Sequence, residues 1–116
     1  MKANVVYHGE AALRDLGGGV SRRVLAWNED MMSVEVNFET GSEGSVHRHP
    51  HCQNTYVLSG RFRFTIEGEA VEVAAGDTLA IPPDAAHGTL CLEKGALLDT
   101  FARHSATRII PSFHGF

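Results

Sequence analysis

A run of polar side chains on alternate residues constrains this chain most: His47, His49, His51 and Gln53, within the stretch 41–60. Alternate residues of an extended strand share one face. On a helix, only positions three or four apart become neighbours. A strand would therefore aim several imidazoles and an amide oxygen at one point. Imidazole suits zinc, copper, iron and nickel, and oxygen donors suit harder ions such as manganese. The competing reading is a histidine-rich surface loop, because Pro50 interrupts regular pairing.

The remaining sequence reads as strands. Met32, Val34, Val36 and Phe38 alternate with Ser33, Glu35 and Asn37, the pattern of a half-buried strand. Phe62, Phe64 and Ile66 alternate with Arg61, Arg63 and Thr65, and Glu67-Gly68-Glu69 turns the chain into a partner carrying Val71 and Val73. Further strands are predicted at 5–7, 21–27, 56–58, 78–81, 88–92 and 96–102. Gly60, Gly76 and Lys94-Gly95 are read as turns between them. One helical turn is expected over 10–15, and a loop over 16–20. Many short strands with glycine turns indicate an all-β barrel or sandwich.

At 116 residues, 43% apolar and 21% charged, the chain has the make-up of one soluble domain spanning 1–116. A net charge of −4 and a pI near 5.9 offer nothing for nucleic acid or an anionic membrane to hold. No apolar run approaches membrane-spanning length, and the first residues lack a signal-like apolar core. Cys52 and Cys91 make no disulfide framework, so a reducing cytoplasm is expected.

A second segment carries a lone histidine after a proline break, Gly76-Asp-Thr-Leu-Ala-Ile-Pro82-Pro-Asp84-Ala-Ala-His87. Together the segments 41–60 and 76–91 resemble the paired motifs of the cupin superfamily. The first reads Gly41, five residues, His47-x-His49, three residues, Gln53, six residues, Gly60. The second reads Gly76, five residues, Pro82-x-Asp84, two residues, His87, three residues, Cys91. Gln53 stands where the superfamily motif has Glu, Asp84 where it has Gly, and Cys91 where it has Asn. The resemblance implies a single-domain double-stranded β-helix, or jelly-roll barrel.

Several shorter pieces resemble a narrower family, the small KdgF-type cupins of pectin and alginate breakdown. They include 15–20 (Asp-Leu-Gly-Gly-Gly-Val), 23–27 (Arg-Val-Leu-Ala-Trp), 66–69 (Ile-Glu-Gly-Glu), His87-Gly88 and Asp99-Thr-Phe101. This resemblance implies metal-dependent conversion of unsaturated monouronates to linear ketonised sugar acids. It implies His47, His49, Gln53 and His87 as ligands to one divalent ion (nickel, zinc, manganese or iron). It also implies Asp99 in proton transfer, with Phe101 and an arginine, Arg103 or Arg108, lining the site. The alternatives are a cupin dioxygenase, which needs a redox-active ion, and a non-catalytic module that binds sugar acids.

Strand parity alone does not choose the role of Asp99. It shares a face with Phe101, Arg103 and also Leu97, so the face is either the functional lumen or, with Leu98 inward, the solvent side. His51 has ligand parity but stands outside the motif set, as a ligand or a supporting contact. His8, His104 and His114 are expected at the surface, Cys52 outside, and Cys91 buried as a structural thiol. Arg61, Arg63, Arg22 and Arg23 read as solvated sheet faces from which one can reach a substrate carboxylate. The tail 103–116, with Ile109, Ile110, Phe113 and Phe116, is expected to pack on its own barrel or on a partner. Bare sheet edges and that apolar tail suggest a homodimer.

Overall fold

The computed structural model describes residues 3–111. Among the described residues, eight strands form one antiparallel ladder that folds back on itself as an all-β jelly roll. They are β1 (Arg14–Gly17), β2 (Val20–Trp27), β3 (Met31–Phe38), β4 (Glu43–His47), β5 (Cys52–Ile66), β6 (Glu69–Ala74), β7 (Thr78–Ile81) and β8 (His87–Ala102). The order is β1-β2-β3-β8-β5-β6, with β4 on the outer side of β8 and β7 on β5.

β5 and β8 are the long central strands, and each serves both halves of the roll. The latter part of β8 lies between β3 and the start of β5. Its first part lies between β4 and the end of β5. The sequence reading had a turn at Gly60 and another at Lys94-Gly95. Both strands instead run through, and they cross there. A Cβ on Gly60 would meet the Glu93 and Lys94 carbonyls, and one on Gly95 would meet Ser59. Two glycines let two backbones touch where the ladder bends. The register slips around this crossing, and the inward face of β5 passes from odd residues (Gln53, Thr55, Val57) to even ones (Phe62, Phe64).

The β3 alternation holds: Met32, Val34 and Phe38 are buried and Met31 is exposed. Phe62, Phe64, Val57 and Leu97 join Phe38 in the main core, while Met32, Val34, Phe101 and Ile109 form a smaller one. Two local expectations fail. Residues 5–7 form no strand, and 10–15 form no helical turn; a 3₁₀ turn covers His8–Glu10 and Arg14 opens β1. A four-residue edge strand that ends on the first of three glycines has too little apolar pattern to announce itself.

The segment after β8 packs on its own roll. Arg103 N–H donates to the Asp30 carbonyl at 2.7 Å and Ile109 N–H to Glu29 at 2.9 Å. Ile109 is buried against Phe101, whereas Ile110 is exposed. Phe113, His114 and Phe116 lie outside the described residues.

Candidate metal centre and its cavity

Three imidazoles converge at the mouth of the roll. One ring nitrogen from each of His47, His49 and His87 lies within 4.8 Å of the others. Pairing of β4 with β8 sets His47 directly opposite His87, with ring centroids 4.4 Å apart. His49 does not come from a strand. β4 ends at His47 and β5 begins at Cys52, so the histidines at 47, 49 and 51 never share the one strand their spacing suggested. The loop is pinned where Asp84 N–H donates to the His49 carbonyl at 2.8 Å. Asp84 has φ +63°, a left-handed conformation that Asp tolerates better than most residues, which accommodates its replacement of the motif glycine.

All three rings are oriented the same way. Nδ1 of His47 faces the Ser45 carbonyl at 2.9 Å, Nδ1 of His49 the His51 carbonyl at 3.0 Å, and Nδ1 of His87 the Ala85 carbonyl at 2.9 Å. A carbonyl only accepts, so Nδ1 carries the proton and Nε2 keeps its lone pair. Burial holds the His49 and His87 pKa values below the ordinary range, which favours the neutral, ligating form.

These residues fit a cation. Nε2 of His87 is buried without a hydrogen-bond partner among the described residues. Nε2 of His49 faces Oε1 of Gln53 at 2.9 Å. With its proton on Nδ1, His49 sets one lone pair against another, an arrangement that a shared cation resolves. Gln53 is held in that orientation because its Nε2 donates to Thr55 Oγ1 at 2.9 Å, and the Thr55 hydroxyl donates to Asp99 Oδ1 at 2.7 Å.

Asp99 therefore points inward. It lies opposite Val34 on one side and Thr55 on the other, and it lines a cavity of about 160 Å³ with His47, His87, Gln53, Phe101 and Arg22. That volume falls below the roughly 300–1,000 Å³ of sites for drug-sized ligands, so it suits a small molecule. Burial raises the Asp99 carboxyl from its ordinary 3.8 to about 6, against the hydrogen bonds from Thr55 and Gln53 that favour ionisation. Phe101 is buried with its ring edge-on to His49, centroids 5.3 Å apart.

The predicted arginines lie elsewhere. β8 ends at Ala102, and the Arg103 side chain turns outward to Asp30 at 3.3 Å and the Ser105 carbonyl. Arg108 is exposed and reaches Glu29 at 3.5 Å. The shared parity of Asp99 and Arg103 carried no information once the strand had stopped. His51 is not part of the cluster: it is buried, and its Nε2 donates to the Arg108 carbonyl at 2.9 Å, tying the loop to the tail. Cys91 is the expected buried thiol, its Sγ donating to the Glu93 carbonyl at 3.2 Å. His8 and His104 are exposed, and His8 lies 3.0 Å from Glu35. Arg61 and Arg63 are exposed beside Glu72. Arg22 is the cavity residue that the sequence reading left on a solvated face.

A jelly roll with three imidazoles gathered at its mouth defines a cupin, and a cupin domain model matches residues 34–101. Within the cupins the chain belongs to the KdgF family. It is 38% identical over 95 residues to the pectin degradation protein KdgF of Dickeya dadantii, which covers 80% of this chain and 86% of that protein. The solved KdgF of a Halomonas species superposes with a TM-score of 0.82 at 31% identity, covering 90% of this chain and 97% of that one. An RmlC-like cupin from Shewanella frigidimarina superposes with a TM-score of 0.83 at 34% identity, covering 90% and 95%.

Proposed function

We propose that this protein is a metal-dependent enzyme of pectin or alginate breakdown that opens unsaturated monouronates and converts them to linear ketonised acids. The observation that carries the reading is Asp99, a carboxyl raised to about 6, held by Thr55 and Gln53 in the same small cavity as the imidazoles. A group with that pKa takes up and gives back a proton near neutral pH, as a general acid/base must. Membership of the KdgF family supports the substrate class.

The reaction is an isomerisation that relocates one proton. The Asp99 carboxylate removes the anomeric hydroxyl proton, the anomeric carbonyl forms, and the bond from the anomeric carbon to the ring oxygen breaks. The electron pair passes to the ring oxygen, leaving an enolate on the carbon next to the carboxylate. Asp99 then delivers the same proton to the β-carbon as the enolate becomes a ketone. Thr55 and Gln53 hold the carboxyl in place for both transfers, and Phe101 closes the wall beside His49. His47, His49, Gln53 and His87 would hold one divalent ion, which supplies Lewis acidity to a substrate oxygen without changing oxidation state. The donor set accepts nickel, zinc, manganese or iron.

Purified unsaturated monouronate incubated with the metal-loaded protein tests this. The conjugated absorbance is expected to disappear with enzyme, to persist after chelation, and to disappear again when metal is restored. Persistence under all three conditions would defeat the reading. Oxygen uptake during turnover would point instead to a dioxygenase.

A further inference from the structure

We infer that Glu67, an exposed residue of the β5–β6 turn, is a positioning residue for His87: it holds the peptide group whose carbonyl aims the His87 ring. The inference rests on the metal site of the proposed function and is indifferent to the substrate.

β5 and β6 are joined by a two-residue turn, Glu67-Gly68, between the paired Ile66 and Glu69. Both turn residues have positive φ, +49° and +82°. That conformation suits Asn-Gly or Asp-Gly, and a longer side chain is strained in it. A strained turn residue asks for a reason. The side chain supplies one. The β5–β8 register stops with Ile66 opposite His87. One step on, Glu67 N–H still donates to the Ala86 carbonyl at 2.8 Å. In a regular antiparallel pair the return bond would run from Ala86 N–H to the Glu67 carbonyl. Here Ala86 N–H donates to Glu67 Oε1 at 2.9 Å. The carboxylate thus adds half a rung where the backbone has turned away.

Ala86 N–H and the Ala85 carbonyl are the two ends of one peptide unit, which is planar and rigid. The carbonyl end accepts from His87 Nδ1 at 2.9 Å. One hydrogen-bonded line therefore runs from the Glu67 carboxylate, through the 85–86 peptide, to the imidazole. A carboxylate that accepts the second N–H of a metal-ligating histidine fixes its tautomer and ring orientation and raises its basicity. Glu67 does this through one intervening peptide, and bonds in such a chain polarise one another. The segment needs an anchor at this point. Between the end of β7 at Ile81 and His87 stand Pro82 and Pro83, which have no N–H to pair. The bonds from Asp84 to His49 and from Ala85 to Pro82 hold the earlier part of the segment, and Glu67 holds the part next to the ligand.

Two substitutions separate reach from charge. Glu67→Asp keeps the charge and suits the turn, but is one methylene too short to reach Ala86. Glu67→Gln keeps the reach and an accepting oxygen, and loses the charge. Zinc affinity, read by competition with a chelating dye, should fall about tenfold in Glu67→Asp. In Glu67→Gln it should stay within about threefold of wild type, the scale of one exposed charge. The thermal midpoint of metal-free Glu67→Asp should not drop, because Asp-Gly is a preferred turn. In the metal-free protein, nitrogen-15 NMR of the histidine rings gives a second readout. The His87 Nδ1 proton should exchange with water severalfold faster in Glu67→Asp, with the His49 Nδ1 proton unchanged as the internal control.

Wild-type zinc affinity in Glu67→Asp overturns the inference and leaves the metal-dependent reading standing. So does an equal loss in Glu67→Gln, which would make the effect one of charge alone. So does a midpoint that falls in step with affinity, which would make Glu67 a support of the fold only. A wild type that binds no divalent ion defeats the metal-dependent reading instead. The His87 proton then decides the inference by itself: faster exchange in Glu67→Asp upholds it, and unchanged exchange overturns it.

Discussion

Thr55 and Val57 are next neighbours on one face of β5, and neither exposes any surface. Past Val57 the interior of the roll is apolar: Phe62 and Phe64 follow, with the Phe62 ring edge-on to Phe38 at 5.3 Å. Before Thr55 it is mixed: Gln53, Asp99 and His49 lie among the apolar side chains of the smaller core, Phe101, Met32 and Val34. Removal of apolar surface from water stabilises the first region. The second is tolerated because its polar atoms are largely hydrogen-bonded to one another, and the residual penalty appears as a carboxyl that resists ionisation. The paired strands β5 and β8 thus supply both the apolar core and a buried carboxyl that resists ionisation.

Substitutions in the two regions should therefore have opposite signatures. Asp99→Asn keeps the shape of the side chain but cannot take up a proton near neutral pH. Its activity on an unsaturated uronate should fall by about 10²–10⁴-fold with metal content unchanged. Loss of metal in the same variant would move Asp99 into the coordination shell. Phe62→Ala should do the reverse, costing about 3–5 kcal/mol in urea unfolding while the surviving folded protein keeps its metal.

The pH dependence of the metal-free protein sharpens the contrast. The folded Asp99 carboxyl holds its proton up to about 6, against 3.8 ordinarily, so between those values the folded state binds more protons. Stability falls as pH rises across that window, and the full penalty, about 3 kcal/mol, remains above it. His49 and His87 act oppositely: their lowered pKa values remove stability as pH falls through 6.5. Asp99→Asn should match wild type near pH 4 in urea unfolding and exceed it increasingly toward pH 7. A constant difference across that range would show that the carboxyl is not desolvated. The smallest effect belongs to Thr55→Val, which swaps the polar residue for its apolar neighbour's type. Losing a hydrogen bond to the ionised form should shift the acid limb of the rate profile upward by about 1–2 pH units.

The apolar region was the easier one to read. The alternation of Met32, Val34 and Phe38 declared the inward face because every inward residue was apolar. The motif spacing brought out His47, His49 and His87, although the loop, and not strand parity, delivers His49. Arg22 was hidden because Ser21 and Arg23 beside it are also polar, and only Val20 and Val24 gave away its parity. Arg103 misled because nothing in Ala102-Arg103-His104 signals that β8 stops. The crossing at Gly60 and Gly95 was read as two turns, since glycine marks a turn and a backbone contact alike.

The β5–β8 ladder also fixes an order of assembly. Its register joins Ile66 to His87 at one end and Cys52 to Ala102 at the other, so the loop to be closed lengthens steadily along it. Loop-closure entropy makes the Ile66 end the cheapest place to begin. Zippering from there must pass the Gly60–Gly95 crossing before Gln53, Asp99 and Phe101 come into register. The end of the ladder that carries Gln53 and Asp99 is thus the last to close and the first to fray, and its amides should exchange with solvent ahead of those around Phe62.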